Sequence, residues 1–132
     1  MKTTLKLTIL VLVTFLGISC NTTSHSKSDT ISVITPTEFK EKSVNHTIID
    51  VRTPQEFSEG HIEGAVNINF FDKTFLDQMG KYEKNEQLFI YCKSGNRSGK
   101  AVKKITDSGF KQVYDLEGGI LNWVKNNNET VK

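Results

Sequence analysis

Five short apolar runs alternate with helix-forming segments in the part of the chain that follows position 30. The run from Leu88 to Tyr91 is apolar throughout, which is typical of a strand buried on both faces of a sheet. Strands that alternate with helices form a mostly parallel sheet covered on both sides. The sequence therefore predicts an α/β fold with a five-stranded, mostly parallel sheet flanked by helices on both faces. The predicted strands are 31–34, 47–49, 65–68, 88–91 and 113–116.

Capping residues and apolar spacing place the helices between these strands. Thr35 and Thr53 each precede a proline and an acid, the chemistry of a helix start. Gly60 and Gly109 are expected to end two of the helices. Apolar side chains that recur every three or four residues predict the buried helix faces. These faces are Phe71, Phe75 and Met79; Ala101, Val102 and Ile105; and Ile120, Leu121 and Val124, with Trp123 as core or rim packing.

The first 19 residues have the layout of an export signal: two lysines, then an apolar run from Leu7 to Ile18. The run is too short for a comfortable permanent membrane span. Ser19 and Cys20 close it in a way that resembles the lipobox of bacterial lipoproteins, although Gly17 departs from that motif. The resemblance implies a lipid on Cys20 and an exported, membrane-anchored protein facing the periplasm or the cell exterior. Ordinary signal cleavage near Ser19 is the alternative.

Removal of this leader changes the charge balance of the protein. Without Lys2 and Lys6, fifteen basic residues balance fifteen acidic ones, and no basic arm remains to favour nucleic acid as a partner. The segment 20–30 is polar and is expected to be a lipid-anchored tether. The predicted organisation is therefore a signal peptide at 1–19, a tether at 20–30, one domain at 31–126 and a polar tail at 127–132.

The second cysteine, Cys92, follows the buried strand 88–91 and stands just before a predicted helix. Ligands of parallel sheets bind beyond the carboxyl ends of the strands, beside helix amino ends. Unpaired amides and the helix dipole stabilise a thiolate there, and Gly95 permits a turn that points amides inward. If Cys20 carries lipid, Cys92 is alone and cannot form an intramolecular disulfide, so a functional role is favoured over that of a small buried hydrophobe.

The chain beyond position 19 contains thirteen lysines but only two arginines, Arg52 and Arg97. Arginine is chosen where a planar, forked and permanently charged donor matters. Arg97 falls in the cysteine loop, and we expect its fork to hold either the loop or an anionic donor there. Arg52 follows Asp50 at the end of another strand, and we expect a structural ion pair, with Glu56 as the candidate partner.

Three segments, in order and correctly spaced, resemble the rhodanese-like family. They are 49–68 (with Asp50, Arg52 and Glu56), 91–98 and 113–123. The resemblance implies sulfurtransferase chemistry with Cys92 as the sulfur acceptor. It also implies that residues around Cys92 shape its pocket, with the Ser98 hydroxyl as a partner of the sulfur. The pocket residues are Lys93, Ser94, Gly95, Asn96, Arg97 and Ser98, where Lys93 departs from the arginine often found at its position.

The implied mechanism is a double displacement through a persulfide on Cys92. The small sulfur donor is thiosulfate or a persulfide, the acceptor is a thiol or cyanide, and no cofactor is expected. A phosphatase is disfavoured, because only four residues separate Cys92 from Arg97 and tyrosine-phosphatase-like loops have five. A non-catalytic persulfide carrier or a binding module uses the same residues and stays open as an alternative. We expect a monomer, no metal site and a structural rather than catalytic His61.

Overall fold

The computed structural model describes residues 29–132. The predicted signal peptide, Cys20 and nearly all of the tether lie outside these residues, so lipid attachment and export stay predictions. The five strands form one sheet in the order β1-β5-β4-β2-β3, and every strand pair is parallel. The elements in chain order are β1 Thr30–Ile34, α1 Pro36–Lys42, β2 Thr47–Asp50, α2 Pro54–Glu59, β3 Val66–Asn67, α3 Phe75–Met79, β4 Gln87–Tyr91, α4 Asn96–Asp107, β5 Gln112–Leu116 and α5 Gly119–Lys125.

The helix starts confirm the capping prediction. Thr35 and Thr53 cap α1 and α2, and in each helix the acid three residues on returns a hydrogen bond to the cap. Both prolines occupy the first helical turn, where a missing N–H costs nothing. Gly60 caps the end of α2. Among residues 29–132, no helix is long and apolar enough to cross a membrane.

The two faces of the sheet carry two separate cores. One core includes Ile90, Cys92 and Val113 and packs against Ala101 and Ile105 of α4. The other is built around aromatic rings on the opposite face, where Phe39 meets Phe89, Tyr91 and Trp123 in edge-to-face contacts. The predicted fold class, with helices on both faces of a parallel sheet, is confirmed.

Two predicted helix faces are wrong in detail. α3 begins only at Phe75, and Phe71 lies ahead of it with 64% of its surface exposed. Asn69 and Asp72 accept backbone N–H bonds from Phe71 and Thr74, and these local turns compete with a helix. In α5 the buried side chains are Ile120 and Trp123, whereas Leu121 and Val124 are more than half exposed.

The last six residues were expected to be a polar tail outside the domain, but they pack back onto it. His61 and Val131 form an antiparallel bridge with two reciprocal backbone hydrogen bonds of 2.9 Å. The Trp123 indole donates to the Glu129 carbonyl at 2.8 Å. The polar tail predicted for residues 127–132 therefore makes backbone contacts with the domain that precedes it.

Candidate active site

Cys92 lies directly after β4, at the carboxyl edge of the sheet, and only 1% of its surface is exposed. Gly95 adopts a left-handed conformation with φ 96°, which turns the chain into α4. This turn brings the Gly95 N–H to 3.1 Å from the Cys92 sulfur, and the Ser98 hydroxyl lies 3.4 Å from it. The contact with Ser98 that the sequence implied is present.

The first turn of α4 follows directly after the loop that contains this sulfur. The first helical hydrogen bond of α4 runs from the Gly99 N–H to the Gly95 carbonyl at 3.1 Å. The amides of Asn96, Arg97 and Ser98 therefore precede the helical ladder, and such amides favour an anion. Lys93, Ser94 and Asn96 are exposed at the rim of the loop.

Arg97 does not present its fork to this space. Both of its terminal nitrogens donate to the Glu56 carboxylate at 2.7 Å, one to each oxygen. Glu56 is held in place by the Thr53 cap, which donates to the same carboxylate. Arg97 hydrogen bonds lower the pKa of Glu56 to about 2, with burial opposing and Thr53 assisting. The expected anion-binding fork is thus already occupied by a side chain of α2.

The expected pairing of Arg52 with Glu56 is wrong. Arg52 instead binds Asp50, with its Nε 3.0 Å and its Nη2 2.7 Å from Oδ2, and Nη2 also donates to the Gly60 carbonyl at 2.7 Å. Asp50 stands two residues earlier on the same strand end, so its carboxylate meets the guanidinium locally. Glu56 is turned away by its own capping contacts and meets Arg97. Asp50 and Arg52 are both buried, which fits the expected structural role.

Gly118 and Gly119, two glycines within the segment 113–123, bring the start of α5 against the cysteine loop. Gly119 starts α5 with φ 62°, and a Cβ at this position would lie 2.5 Å from the Lys93 carbonyl. This close approach allows the Ile120 N–H to reach the Cys92 carbonyl at 2.9 Å and the Leu121 N–H to reach that of Lys93 at 3.1 Å. The adjacent pair Gly118-Gly119 was the signal for this support, because consecutive glycines commonly mark a close backbone approach.

Among the described residues, His61 makes its hydrogen bonds with Phe57 and Val131 rather than with the cysteine loop. Its Nδ1 is 3.0 Å from the Phe57 carbonyl, and its ring stacks on the Phe57 ring at 3.7 Å. These contacts fit the structural role that we expected. Within residues 29–132, no group of three or more histidine, cysteine, aspartate or glutamate side chains is placed to hold a metal ion.

Residues 35–126 match the model of the rhodanese-like domain. Because this match covers well over half of the chain, the protein belongs to the rhodanese-like family. Its fold is also similar to that of a solved rhodanese-related protein from Thermoplasma volcanium. That structure gives a TM-score of 0.69 at 28% identity, covering 76% of this chain and 98% of the other.

The names of proteins with similar sequences describe more than one activity. The chain is 36% identical over 91 residues to thiosulfate sulfurtransferase 16 of Arabidopsis thaliana, covering 61% of this chain and 76% of that protein. It is 40% identical over 82 residues to a tRNA uridine(34) hydroxylase of Buchnera aphidicola. The second match covers 58% of this chain but only 25% of the hydroxylase. The chain is therefore similar to proteins whose names give different overall activities.

Proposed function

We propose that this protein is a sulfurtransferase that carries sulfane sulfur as a persulfide on Cys92. The observation that carries the proposal is the hydrogen bond from the Gly95 N–H, at the start of α4, to the Cys92 sulfur at 3.1 Å. Amide donors aimed at a developing negative charge stabilise it without reorganisation. The similarity to thiosulfate sulfurtransferase 16 supports the same chemistry.

Each half-reaction balances around one sulfur atom. The Cys92 thiolate attacks the outer sulfur of thiosulfate, the S–S bond of the donor breaks, and sulfite leaves with its electron pair. A nucleophilic acceptor, cyanide or a thiolate, then attacks the outer sulfur of the persulfide, and Cys92 leaves as a thiolate. Two half-reactions through one covalent intermediate predict ping-pong kinetics. Thiosulfate is the proposed donor because positive charge from the exposed Lys93 at the loop rim suits an anion.

The test is mass spectrometry of the protein after treatment with thiosulfate and then cyanide. Wild type should gain one sulfur atom and lose it to cyanide. Cys92→Ser should do neither, whereas Cys20→Ser, the matched control at the other cysteine, should behave as wild type. Sulfur transfer by the Cys92→Ser variant would contradict the proposal.

Two turnover assays, thiocyanate release and arylphosphate hydrolysis, separate a sulfurtransferase from a carrier and from a phosphatase. An enzyme releases thiocyanate over many turnovers, whereas a carrier that reloads slowly releases about one equivalent. Only four residues separate Cys92 from Arg97, so we expect no arylphosphate hydrolysis above the Cys92→Ser variant. Phosphatase turnover that depends on Cys92 would refute the inference from loop length.

We also propose that the protein is exported and anchored to a membrane by a lipid on Cys20. The support is the short apolar run that ends at Ser19 and Cys20. Cys20→Ser should move the protein from the membrane to the soluble fraction without affecting sulfur transfer. An equally soluble wild type would contradict the anchor.

A further inference from the structure

Phe71 is an exposed aromatic residue at the same edge of the sheet as Cys92, and nothing in the proposed reaction uses it. Its surface is 64% exposed, and no other Phe, Tyr or Trp side chain within residues 29–132 is exposed. Phe71 follows β3, whereas Cys92 follows β4, and both strands run parallel to β2. Because parallel strands end at the same edge of a sheet, both residues lie at the carboxyl edge, where ligands bind.

Hydrogen bonds fix the backbone on both sides of this ring. The Phe70 N–H donates to the Val51 carbonyl at 3.1 Å, which ties the segment to the end of β2. The Phe71 N–H donates to Asn69 Oδ1 at 3.1 Å, and the Asp72 N–H donates to the Asn69 carbonyl at 3.0 Å. A single exposed apolar side chain needs no explanation by itself. A ring that the backbone holds beside a reactive group, however, is placed to contact whatever reacts there.

Two contacts connect Phe71 with the surroundings of the Cys92 sulfur. The Phe71 ring meets the Phe70 ring in an edge-to-face contact, with 5.6 Å between the ring centres. Phe70 in turn packs against the apolar core that contains Cys92. The centre of the Arg97 guanidinium lies 5.8 Å from the centre of the Phe71 ring. Arg97 stands in the first turn of α4, where both of its terminal nitrogens are held by Glu56, so the ring lies beside a fixed part of the site.

The other exposed residues at the rim of the cysteine loop, Lys93, Ser94 and Asn96, are polar. Only 1% of the Cys92 surface is exposed, so a reactant must enter a recess to reach the sulfur. A small thiol can enter such a recess more readily than a thiol on a flat protein surface. Contact with the Phe71 ring removes apolar surface of the reactant from water, which favours a thiol with an apolar group over a wholly polar one.

We propose that Phe71 determines specificity in the second half-reaction, and that the preferred acceptor is a small thiol with an apolar group beside its sulfur. This rests on the proposed function, since it concerns the discharge of a persulfide on Cys92. The acceptor thiolate attacks the outer sulfur, the S–S bond breaks, and Cys92 leaves as a thiolate with the electron pair of that bond. The acceptor becomes a persulfide, and its apolar group packs against the Phe71 ring during the attack.

Discharge to two primary thiols tests this specificity. The protein is loaded with thiosulfate and freed of excess donor, and mass spectrometry then follows the loss of the outer sulfur to benzyl mercaptan or to 2-mercaptoethanol. The readout is the ratio of the two second-order rate constants, because a change in the reactivity of Cys92 itself affects both and cancels. Phe71→Ala should lower the ratio of the benzyl mercaptan rate to the 2-mercaptoethanol rate about three- to tenfold, the effect of one lost aromatic contact.

Two further variants make the result specific. Phe71→Leu keeps an apolar side chain and should retain most of the wild-type ratio. Val44→Ala removes a side chain of similar exposure, 62%, from the segment before β2, at the opposite edge of the sheet, and should keep the wild-type ratio. If the ring only supported Arg97, Phe71→Ala would slow discharge to both thiols alike. An unchanged ratio in Phe71→Ala would therefore overturn the proposal, and so would an equal fall in Val44→Ala.

Alkylation of the unloaded thiol gives a second readout, which needs no persulfide. In the Cys20→Ser chain Cys92 is the single cysteine, and its rates with N-benzyliodoacetamide and with iodoacetamide are compared. Phe71→Ala should lower the ratio of these rates about as much as it lowers the discharge ratio, and an unchanged ratio would overturn the apolar contact beside Cys92. A protein that shows this fall but takes up no sulfur would refute the proposed function and the acceptor preference, while the apolar contact would stand.

Discussion

The protein contains two arginine–carboxylate ion pairs in different surroundings. One joins Asp50 and Arg52 at the end of β2, and the other joins Glu56 and Arg97 beside the cysteine loop. Both have a closest contact of 2.7 Å. The Arg52 and Asp50 side chains are 7% and 0% exposed, whereas those of Arg97 and Glu56 are 20% and 26% exposed. The first pair joins neighbours in sequence, and the second joins α2 to α4 across 41 positions. Because the Asp50–Arg52 pair is buried, we expect it to stabilise the fold. Because the Glu56–Arg97 pair connects α2 to the helix after Cys92, we expect it to hold the cysteine loop in place.

The largest expected effect follows from breaking the buried pair. Arg52→Met leaves the Asp50 carboxylate buried without its partner, and we expect a loss of about 3–5 kcal/mol in the free energy of unfolding. The measurement is urea unfolding at pH 7. Asp50→Asn in the same chain should recover part of the loss, because no charge is then left unpaired. A loss below about 1 kcal/mol would show that water compensates Asp50.

The partly exposed pair should matter more to catalysis than to stability. Arg97→Lys keeps the charge but loses the fork, so we expect a turnover about tenfold lower and a stability loss of about 1 kcal/mol. Because the guanidinium contacts Glu56 rather than open space, the thiosulfate KM should change little. Lys103→Arg on the same helix is the control. A higher KM for thiosulfate with unchanged turnover would instead indicate that the Arg97 guanidinium binds the sulfur donor.

The pH dependence of stability gives a smaller effect at the same pair. The folded pKa of Glu56 is lowered to about 2. The stability that this carboxylate contributes is therefore present above its ordinary pKa and is lost as the pH falls towards 2. Solvent screening limits the contribution to about 1 kcal/mol. Glu56→Gln should remove this much at pH 7 and clearly less at pH 2, where the folded carboxylate is about half protonated, as measured by unfolding at both values. An equal loss at both would indicate packing rather than charge.

The smallest effect is expected for a fully exposed pair. Lys103 and Asp107 meet at 2.9 Å, but their side chains are 77% and 66% exposed. Asp107→Asn should change the free energy of unfolding by less than about 0.5 kcal/mol. A loss as large as that for Glu56→Gln would mean that side-chain exposure does not determine how much each ion pair contributes to stability.

The sequence predicted the sheet well because strand signals repeat along the chain and each is local. The Cys92 loop was predictable for the same reason: a buried run, a glycine and a helix start follow one another directly. The partners of Arg52 and Arg97 were not predictable, because their assignment depends on where the Thr53 cap turns Glu56.

Phe71 shows the limit of periodicity. Its spacing with Phe75 and Met79 fits a helix, yet the side chains of Asn69 and Asp72 capture the backbone N–H groups that such a helix requires. Spacing reports which side chains could share a face, whereas short polar side chains decide whether the backbone forms that face.

The bridge between His61 and Val131 has a consequence for the kinetics of folding. It joins two positions 70 residues apart in the chain, and closing so long a loop costs entropy before the contact contributes any stability. Such a contact is expected to form after the transition state for folding. Loss of the last six residues should therefore accelerate unfolding and leave the folding rate nearly unchanged. Residues 127–132 would then contribute to kinetic stability: they would determine how long the folded state lasts rather than how quickly it forms.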